Sequence, residues 1–298
     1  MRVFVTGASG FVGSAVVREL LAAGHAVLGL ARSDQGAATV AALGAEVHRG
    51  DLDDSDSLRR GAAAADGVIH TAFNHDFSTF ADNCEADRGA IAALADGLDG
   101  SARPLIVTSG TGILPQGHLA SETTTPAAGA ARHPRTASEE AADAARARGA
   151  NVSVMRLPPS VHGQGDHGFV PLLIGLARQK GVAAYAGMGD NRWAAVHRLD
   201  AARLFRLALE NPQPGARYHA VAEEGVPFRA LAEAIGRRLS VPVTSLAPAE
   251  AQAHFGWFAH FAALDVPASS AWTRERFAWQ PEQPGLLADL DQPCYFEG

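Results

Sequence analysis

Cysteine is almost missing from this 298-residue chain: Cys84 and Cys294 are its only two, far apart and without CxxC spacing. That argues against a disulfide framework and a thiolate zinc site. A surplus of positive charge is missing too. Lysine and arginine number 25 against 32 aspartates and glutamates, a formal charge of −7, so no basic surface invites nucleic acid or anionic lipid. No apolar run approaches the roughly 18 residues a membrane span needs, and no charged leader precedes a long apolar segment. These absences lead to the expectation of a soluble cytoplasmic protein that engages neither nucleic acid nor membrane. With 47% hydrophobic and 19% charged residues, the composition is that of an ordinary globular chain with ample length for a core.

What is present is a rhythm. Short apolar runs at 2–7, 26–32, 45–50, 67–72, 104–109 and 151–157 alternate with helical patterns such as "FVGSAVVRELLAAG". Continuous apolar strands suit a parallel sheet covered on both faces, so the pattern predicts an α/β fold with a doubly wound parallel sheet. After about residue 158 the rhythm becomes irregular, with glycine, proline and tryptophan clusters in "LPPSVHGQGDHG", "AGMGDNRW" and "WQPEQPG". The expected division is a dinucleotide-binding Rossmann domain over 1–158 and a smaller lobe over 159–298. That lobe mainly binds substrate and sends some segments back to the sheet.

The junction of the first strand and helix reads "VTGASGFVGSAVV". Gly7 allows a tight turn, Gly10 lets backbone approach a pyrophosphate, and Gly13 permits close helix–strand packing. The helix amino terminus, from Phe11 and Val12, offers unpaired N–H groups to phosphate. At the end of the second strand stand Arg32 and Ser33, where an NAD-preferring site usually has an acid. A guanidinium and a hydroxyl suit a 2′-phosphate, so NADP(H) is expected over NAD. The other reading is a solvated Arg32, with Asp34 capping the next helix. Asp51 and Leu52 fall near the adenine edge, where Asp51 is either a ligand or a helix-start acid.

"TGASGFVG" resembles the TGxxGxxG of extended short-chain dehydrogenases/reductases, the group that includes sugar-nucleotide epimerases and dehydratases. "GDLDD", "VIHTA", "LIVTSG", "MRLPPSVHG", "RWAAVHRLDAARL" and "FAWQP" follow in that family's order and cover nearly the whole chain. The resemblance implies cofactor contacts from Thr6 and the glycine turn, from Thr71 and Ala72, from Thr108 and from Pro158. It implies hydride transfer at a nicotinamide, a small-molecule substrate shaped by the carboxyl-terminal lobe, and often a homodimer. It also implies a tyrosine acid/base with a lysine four residues later.

That pair is absent. "RTASEEAAD" places Arg135 and Glu139 where the family writes tyrosine and lysine, and the chain has a single lysine, Lys180, with no tyrosine four before it. Arg135 is too basic to exchange protons at neutral pH, but it can orient an anionic substrate or stabilise an alkoxide. Glu139 carries the wrong charge to lower a neighbour's pKa. "TASE" also reads as a capping box, Thr136 to Glu139. Ser109 and Thr111 flank the position of the family's polarising hydroxyl, and either can serve or merely bond backbone.

Tyr185 is the best surviving tyrosine for the substrate side. Phe73, Asn74 and His75 sit just after the fourth strand, at the edge where such sheets bind ligands. Arg192 resembles a family arginine that reaches substrate, and His133 has a suitable pKa range for proton transfer. His162, Asp166 and His167 complete no catalytic-metal pattern, so no metal is expected.

Two functions follow: an NADP(H)-dependent oxidoreductase acting on a small carbonyl or activated alkene, or a redox-silent NADP(H) sensor. Arg32 and the missing tyrosine argue against an isomerase holding NAD tightly.

Overall fold

The computed structural model describes residues 1–128 and 132–296. Strands β1 (Arg2–Thr6), β2 (Ala26–Ala31), β3 (Glu46–Arg49), β4 (Gly67–His70), β5 (Pro104–Gly110) and β6 (Asn151–Leu157) alternate with five helices. These are α1 (Phe11–Ala22), α2 (Asp34–Ala42), α3 (Ser55–Ala63), α4 (Phe80–Gly97) and α5 (Ala137–Ala147). The remainder contributes β7 (Ser160–His162), α6 (Phe169–Lys180), β8 (Ala183–Ala186), β9 (Arg192–His197), α7 (Arg198–Glu210), β10 (Arg217–His219), β11 (Glu223–Pro227), α8 (Phe228–Leu239), β12 (Val243–Leu246), α9 (Pro248–Phe255) and α10 (Ala259–Ala262).

Seven strands form one parallel sheet in the order β10-β6-β5-β4-β1-β2-β3. Strand order reverses between β1 and β4, which opens a crevice at the carboxyl ends of those strands. One face of the sheet is closed by α1 and α7, through Val16, Val17, Leu20, Leu204, Phe205 and Ala208. The other is closed by α3, α4 and α5, through Leu58, Ile91, Leu94 and Ala145. Each fully buried valine, leucine or phenylalanine in these layers contributes about 1.5–3 kcal/mol, so both faces must be apolar for the sheet to hold.

Two pieces from beyond residue 158 complete this unit: α7 lies against α1, and β10 adds the seventh strand. β10 escapes an apolar-run search because it reads Arg217-Tyr218-His219. Tyr218 is buried and stacks on Trp272, while the Arg217 guanidinium reaches Glu139 and Asp143 on α5.

The rest forms a lobe around its own core, with Trp193, Phe228, Phe255 and Phe258 at the centre. A three-stranded sheet β11-β9-β7 and the pair β12-β8 frame it. β7 runs parallel to β9 and ends at the positive-φ turn of Gly163 (φ +132°), packed against His197 and Arg198.

Candidate active site

A cleft of about 1550 Å³ runs from the glycine turn along the carboxyl edge of the sheet and under the lobe. Its first end is built mainly from backbone. Gly7 has φ +69°, and the Gly10 amide donates to the Gly7 carbonyl at 2.8 Å. A Cβ on Gly13 would lie 2.0 Å from that carbonyl oxygen, and one on Gly7 would lie 2.8 Å from the Ala72 nitrogen. No side chain caps α1, so its first-turn amides stay open toward the cleft. A cradle of this shape fits a dinucleotide pyrophosphate.

Phe11, Val12, Arg32, Ser33, Asp51, Leu52, Thr71, Ala72, Thr108 and Pro158 all line this cleft with Gly7, Gly10 and Gly13. Thr6 does not. It is fully buried beneath the turn, where its hydroxyl contacts His70 Nδ1 at 2.7 Å and accepts the Ala72 amide at 3.3 Å. Its part is to hold the turn, since no surface of it reaches a ligand.

Arg32 is exposed and makes no hydrogen bond among the described residues, while Ser33 caps α2 by accepting the Gly36 amide. Asp34 is therefore not the cap. It is tied up by Arg49, whose guanidinium also donates to the Ser33 carbonyl at 2.7 Å. Nor does Asp51 cap α3, which Asp54 does; Asp51 lines the cleft, with one carboxylate oxygen accepting the Asp53 amide at 3.3 Å.

The other end is assembled from side chains, and here several expectations fail. Arg135 does line the cleft, but its charge is already spent. Nη1 donates to Asp87 at 2.6 Å and also to Ser138, Nη2 donates to the Thr108 carbonyl at 3.1 Å, and the guanidinium lies 4.0 Å over the Phe73 ring. Asp87 in turn meets His70 Nε2 at 2.9 Å, completing a buried chain from Thr6 to Arg135. Burial pushes the Asp87 carboxyl up, but Arg135 and His70 outweigh it and hold its pKa below the ordinary value. An arginine compensated in this way positions the cleft floor; it does not offer a free cation to an anionic substrate.

Glu139 points away from the cleft and makes no capping box. It receives Arg156 in a two-pronged pair at 2.7 and 2.8 Å, and Arg217 at 2.9 Å. The Thr136 hydroxyl donates to the His133 carbonyl at 2.7 Å. The buried Arg156 guanidinium outcompetes a backbone amide for the carboxylate.

Ser109 lines the cleft, and its buried hydroxyl has no partner among the described residues. Thr111 is equally unpartnered but lies outside the cleft lining. Tyr185 is outside it as well: it sits on β8, packed against Gly189 with Arg229 above its ring. Arg192 is clamped by Asp265 at 3.0 Å through both Nε and Nη2, turned from the cleft because Asp265 also accepts its backbone amide. Of the residues after β4, Phe73, Asn74 and His75 all line the cleft, with the Asn74 amide donating to Asn83.

Residues that sequence reasoning did not assign to the site dominate this end. Phe77 and Phe80 follow His75; Phe169 opens α6; Trp257, His260 and Phe261 descend from the lobe. The stretch "FGWFAHF" carries an aromatic surplus, but helical spacing makes such a surplus look like core.

His133 also lines the cleft. Its Nδ1 accepts the Arg135 amide at 3.2 Å, so the neutral ring carries its proton on Nε2. Burial, then His260 and Arg135, lowers its pKa below 6.5. His75 is open to the cleft but crowded by protein, and this desolvation, followed by the Arg135 charge, lowers its pKa too. Asp166 lines the same end, pushed up by burial to about 6. His162 turns away to Asp289 at 2.9 Å, and the described residues contain no cluster able to hold a metal.

Comparison with known proteins agrees with this geometry. Residues 3–222 match the model of the NAD dependent epimerase/dehydratase family. An uncharacterized protein of Schizosaccharomyces pombe is 48% identical over 300 residues, covering 99% of this chain and 100% of the relative. A 4-hydroxy-2-methyl-3-oxo-4-farnesyl-3,4-dihydroquinoline-1-oxide ketoreductase of Stigmatella aurantiaca is 28% identical, covering 86% of this chain and 80% of its own. The solved dTDP-glucose 4,6-dehydratase of Streptomyces venezuelae with NAD bound has a TM-score of 0.78 at 21% identity, covering 100% of this chain and 97% of the other; the likeness is one of fold. The glycine turn, the crossover at β1 and β4 and the matched span lead to one assignment: the chain belongs to the NAD dependent epimerase/dehydratase family.

Proposed function

We propose that this protein is an NADP(H)-dependent oxidoreductase that reduces a small carbonyl compound or activated alkene without a tyrosine–lysine pair. The observation that carries the proposal is the continuity of one cleft. It joins the glycine cradle and the free Arg32 to an unpartnered Ser109 hydroxyl and the His133 imidazole. Gly7, Gly10 and Gly13 would hold the pyrophosphate, Asp51 and Leu52 the adenine edge, and Thr71, Ala72, Thr108 and Pro158 the remainder. Arg32 and the Ser33 hydroxyl suit a 2′-phosphate, and Arg49 pairs with the neighbouring Asp34, which lessens that acid's repulsion.

A bound reduced nicotinamide supplies hydride to an electrophilic carbon; the protein has to manage the oxygen and the proton. The Ser109 hydroxyl is unpaired but covered, so it becomes the donor for a carbonyl oxygen once the cleft wall shifts to uncover it. His133 is the proton source in its imidazolium form: Nδ1 takes up a proton in place of the Arg135 amide bond, and the ring then gives its Nε2 proton to the oxygen and ends neutral. The Asp87–Arg135 pair keeps the floor rigid under both. The ketoreductase relative from Stigmatella aurantiaca supports a carbonyl as the reacting group.

The test combines titration of the protein with NADPH and NADH and a scan of reduced-nicotinamide oxidation across aldehydes, ketones and enones. Tighter binding of NADPH with turnover of at least one carbonyl supports the reading. Binding of both oxidation states with unequal affinity, a change in hydrodynamic size and no turnover would replace it with the sensor reading.

A further inference from the structure

We propose that the substrate end takes an uncharged, flat aromatic carbonyl, an aryl aldehyde or ketone, held against Phe77 and Trp257, and that it does not take a nucleotide sugar. This rests on the reductase reading above and names its substrate class.

The first argument is a census of cations. Three guanidiniums line the cleft: Arg32, Arg132 and Arg135, and no lysine does. Arg32 belongs to the cofactor end. Arg132 is held by Glu140 through two bonds, at 2.8 and 2.9 Å, and approaches Glu85 at 3.8 Å. Arg135 is held by Asp87. The lobe's Arg192 lies outside the cleft lining and is closed on Asp265. A diphosphate entering here would leave water and find no uncommitted guanidinium or ammonium group among the described residues, and burial of unpaired charge is among the costliest events in recognition. The Asp166 carboxylate at the same end adds repulsion.

The second argument is the wall itself. Phe77 stands between two units of the molecule. It stacks on Trp257 with centroids 5.2 Å apart and planes 30° from parallel, meets Phe261 edge-on at 5.3 Å, and stacks on Phe80 at 5.6 Å. Phe169 closes the corner, 4.9 Å from Phe261. Phe73 supplies the floor, its face covered by Arg135. Trp257 is 57% exposed, an unusual position for so large an apolar group unless its free face has a use. A flat ring meets these faces without needing hydrogen bonds, whereas sugar hydroxyls would need partners. Asn74, the amide nearest these rings in sequence, is engaged by Asn83.

In the reaction the carbonyl carbon gains hydride from reduced nicotinamide and the oxygen gains a proton. The products are the aryl alcohol and oxidised nicotinamide.

The experiment is calorimetric titration of the full chain, loaded with NADP+, with 2-naphthylmethanol and separately with UDP-glucose, alongside turnover of 2-naphthaldehyde and hexanal with NADPH. The alcohol should bind and UDP-glucose should not. Trp257→Leu, which keeps the residue apolar but removes its π-face, should weaken the alcohol about tenfold, and Trp257→Phe should restore most of the loss. Trp272→Leu, at a partly exposed tryptophan outside the cleft that stacks on Tyr218, controls for general effects and should leave the alcohol's affinity unchanged. UDP-glucose binding as tightly as the alcohol, or an unchanged affinity in Trp257→Leu, overturns the proposal. If the alcohol binds through Trp257 but the aldehyde is never reduced, the aromatic site stands and the reductase reading falls. If hexanal is reduced and the naphthyl compounds are ignored, the reverse holds.

Discussion

The glycine-turn end of the cleft is made of backbone, and the aromatic end is made of side chains carried in from distant parts of the chain. At the first end a 2.0 Å clash awaits any Cβ on Gly13, so the residue type is dictated by a single local geometry. At the second, Phe77, His133 and Trp257 meet only because β4, α5 and the lobe converge there. A backbone-coded site tolerates almost no substitution and resembles its relatives. A side-chain site can be rebuilt residue by residue while the sheet beneath it stays the same.

The sharpest way to break this comparison is at Gly13. Gly13→Ala forces the first turn of α1 away from the Gly7 carbonyl, and a movement of about an ångström removes the amide cradle. NADPH affinity should fall more than about a hundredfold by protein-fluorescence titration, with circular dichroism showing whether the sheet survives. A variant that binds normally would mean that the turn is packing only.

Glu139 tests the opposite claim, that a residue at the family's lysine position has left the site. Its carboxylate is buried between Arg156 and Arg217, so Glu139→Gln leaves the fully buried Arg156 uncompensated. Denaturant unfolding should show a loss of about 3 kcal/mol, with turnover per folded molecule unchanged. The wild-type pH dependence has a definite sign. Burial raises the pKa of this group, but Arg156 and Arg217 hold it below 4.5. The stability it contributes is therefore complete above about pH 4.5 and is lost as pH falls through the lowered value. Turnover that collapses while stability holds would return Glu139 to the chemistry.

Arg32→Glu should separate the two cofactors more gently, because one exposed guanidinium is at stake. Loss of charge-assisted hydrogen bonds predicts roughly tenfold to a hundredfold weaker NADPH binding with NADH little changed, measured by parallel titrations. Equal weakening of both would make Arg32 a general anchor.

Much of the first end was legible in the sequence for the reason that makes it intolerant. "VTGASGFVG", Arg32 and Asp51 lie on local strand-to-helix turns, where spacing along the chain is spacing in the molecule. Strands β1 to β6 were legible as apolar runs. β10 was not, because its inward residues answer a buried ion network and a tryptophan ring. At the second end, chain order carried little information. Tyr185 has chemistry suited to the substrate side, but it sits on a two-stranded ribbon outside the cleft. Arg192 falls at a family position for substrate contact, but it pairs with Asp265 instead. Nothing local to "FGWFAHF" announces that Phe77, far away in sequence, will be its partner.

The smallest expected effect is the most direct probe of the chemistry at the side-chain end. Carbonyl reduction consumes a proton, and if His133 delivers it, the rate follows the protonated fraction of that imidazole. Burial places its pKa below 6.5. The rate should then be level below that lowered pKa and fall by up to about tenfold per pH unit above it. His133→Gln keeps a donor of similar reach but cannot titrate, so its profile should be lower and flat across the same range. His75 has its pKa lowered by the same kind of burial and separates the cases: His75→Gln should keep the slope if His133 is the donor, and should abolish it if the proton comes from the other side of the cleft. An unchanged slope in both variants would move the proton source to water and leave Ser109 as the group that holds the oxygen.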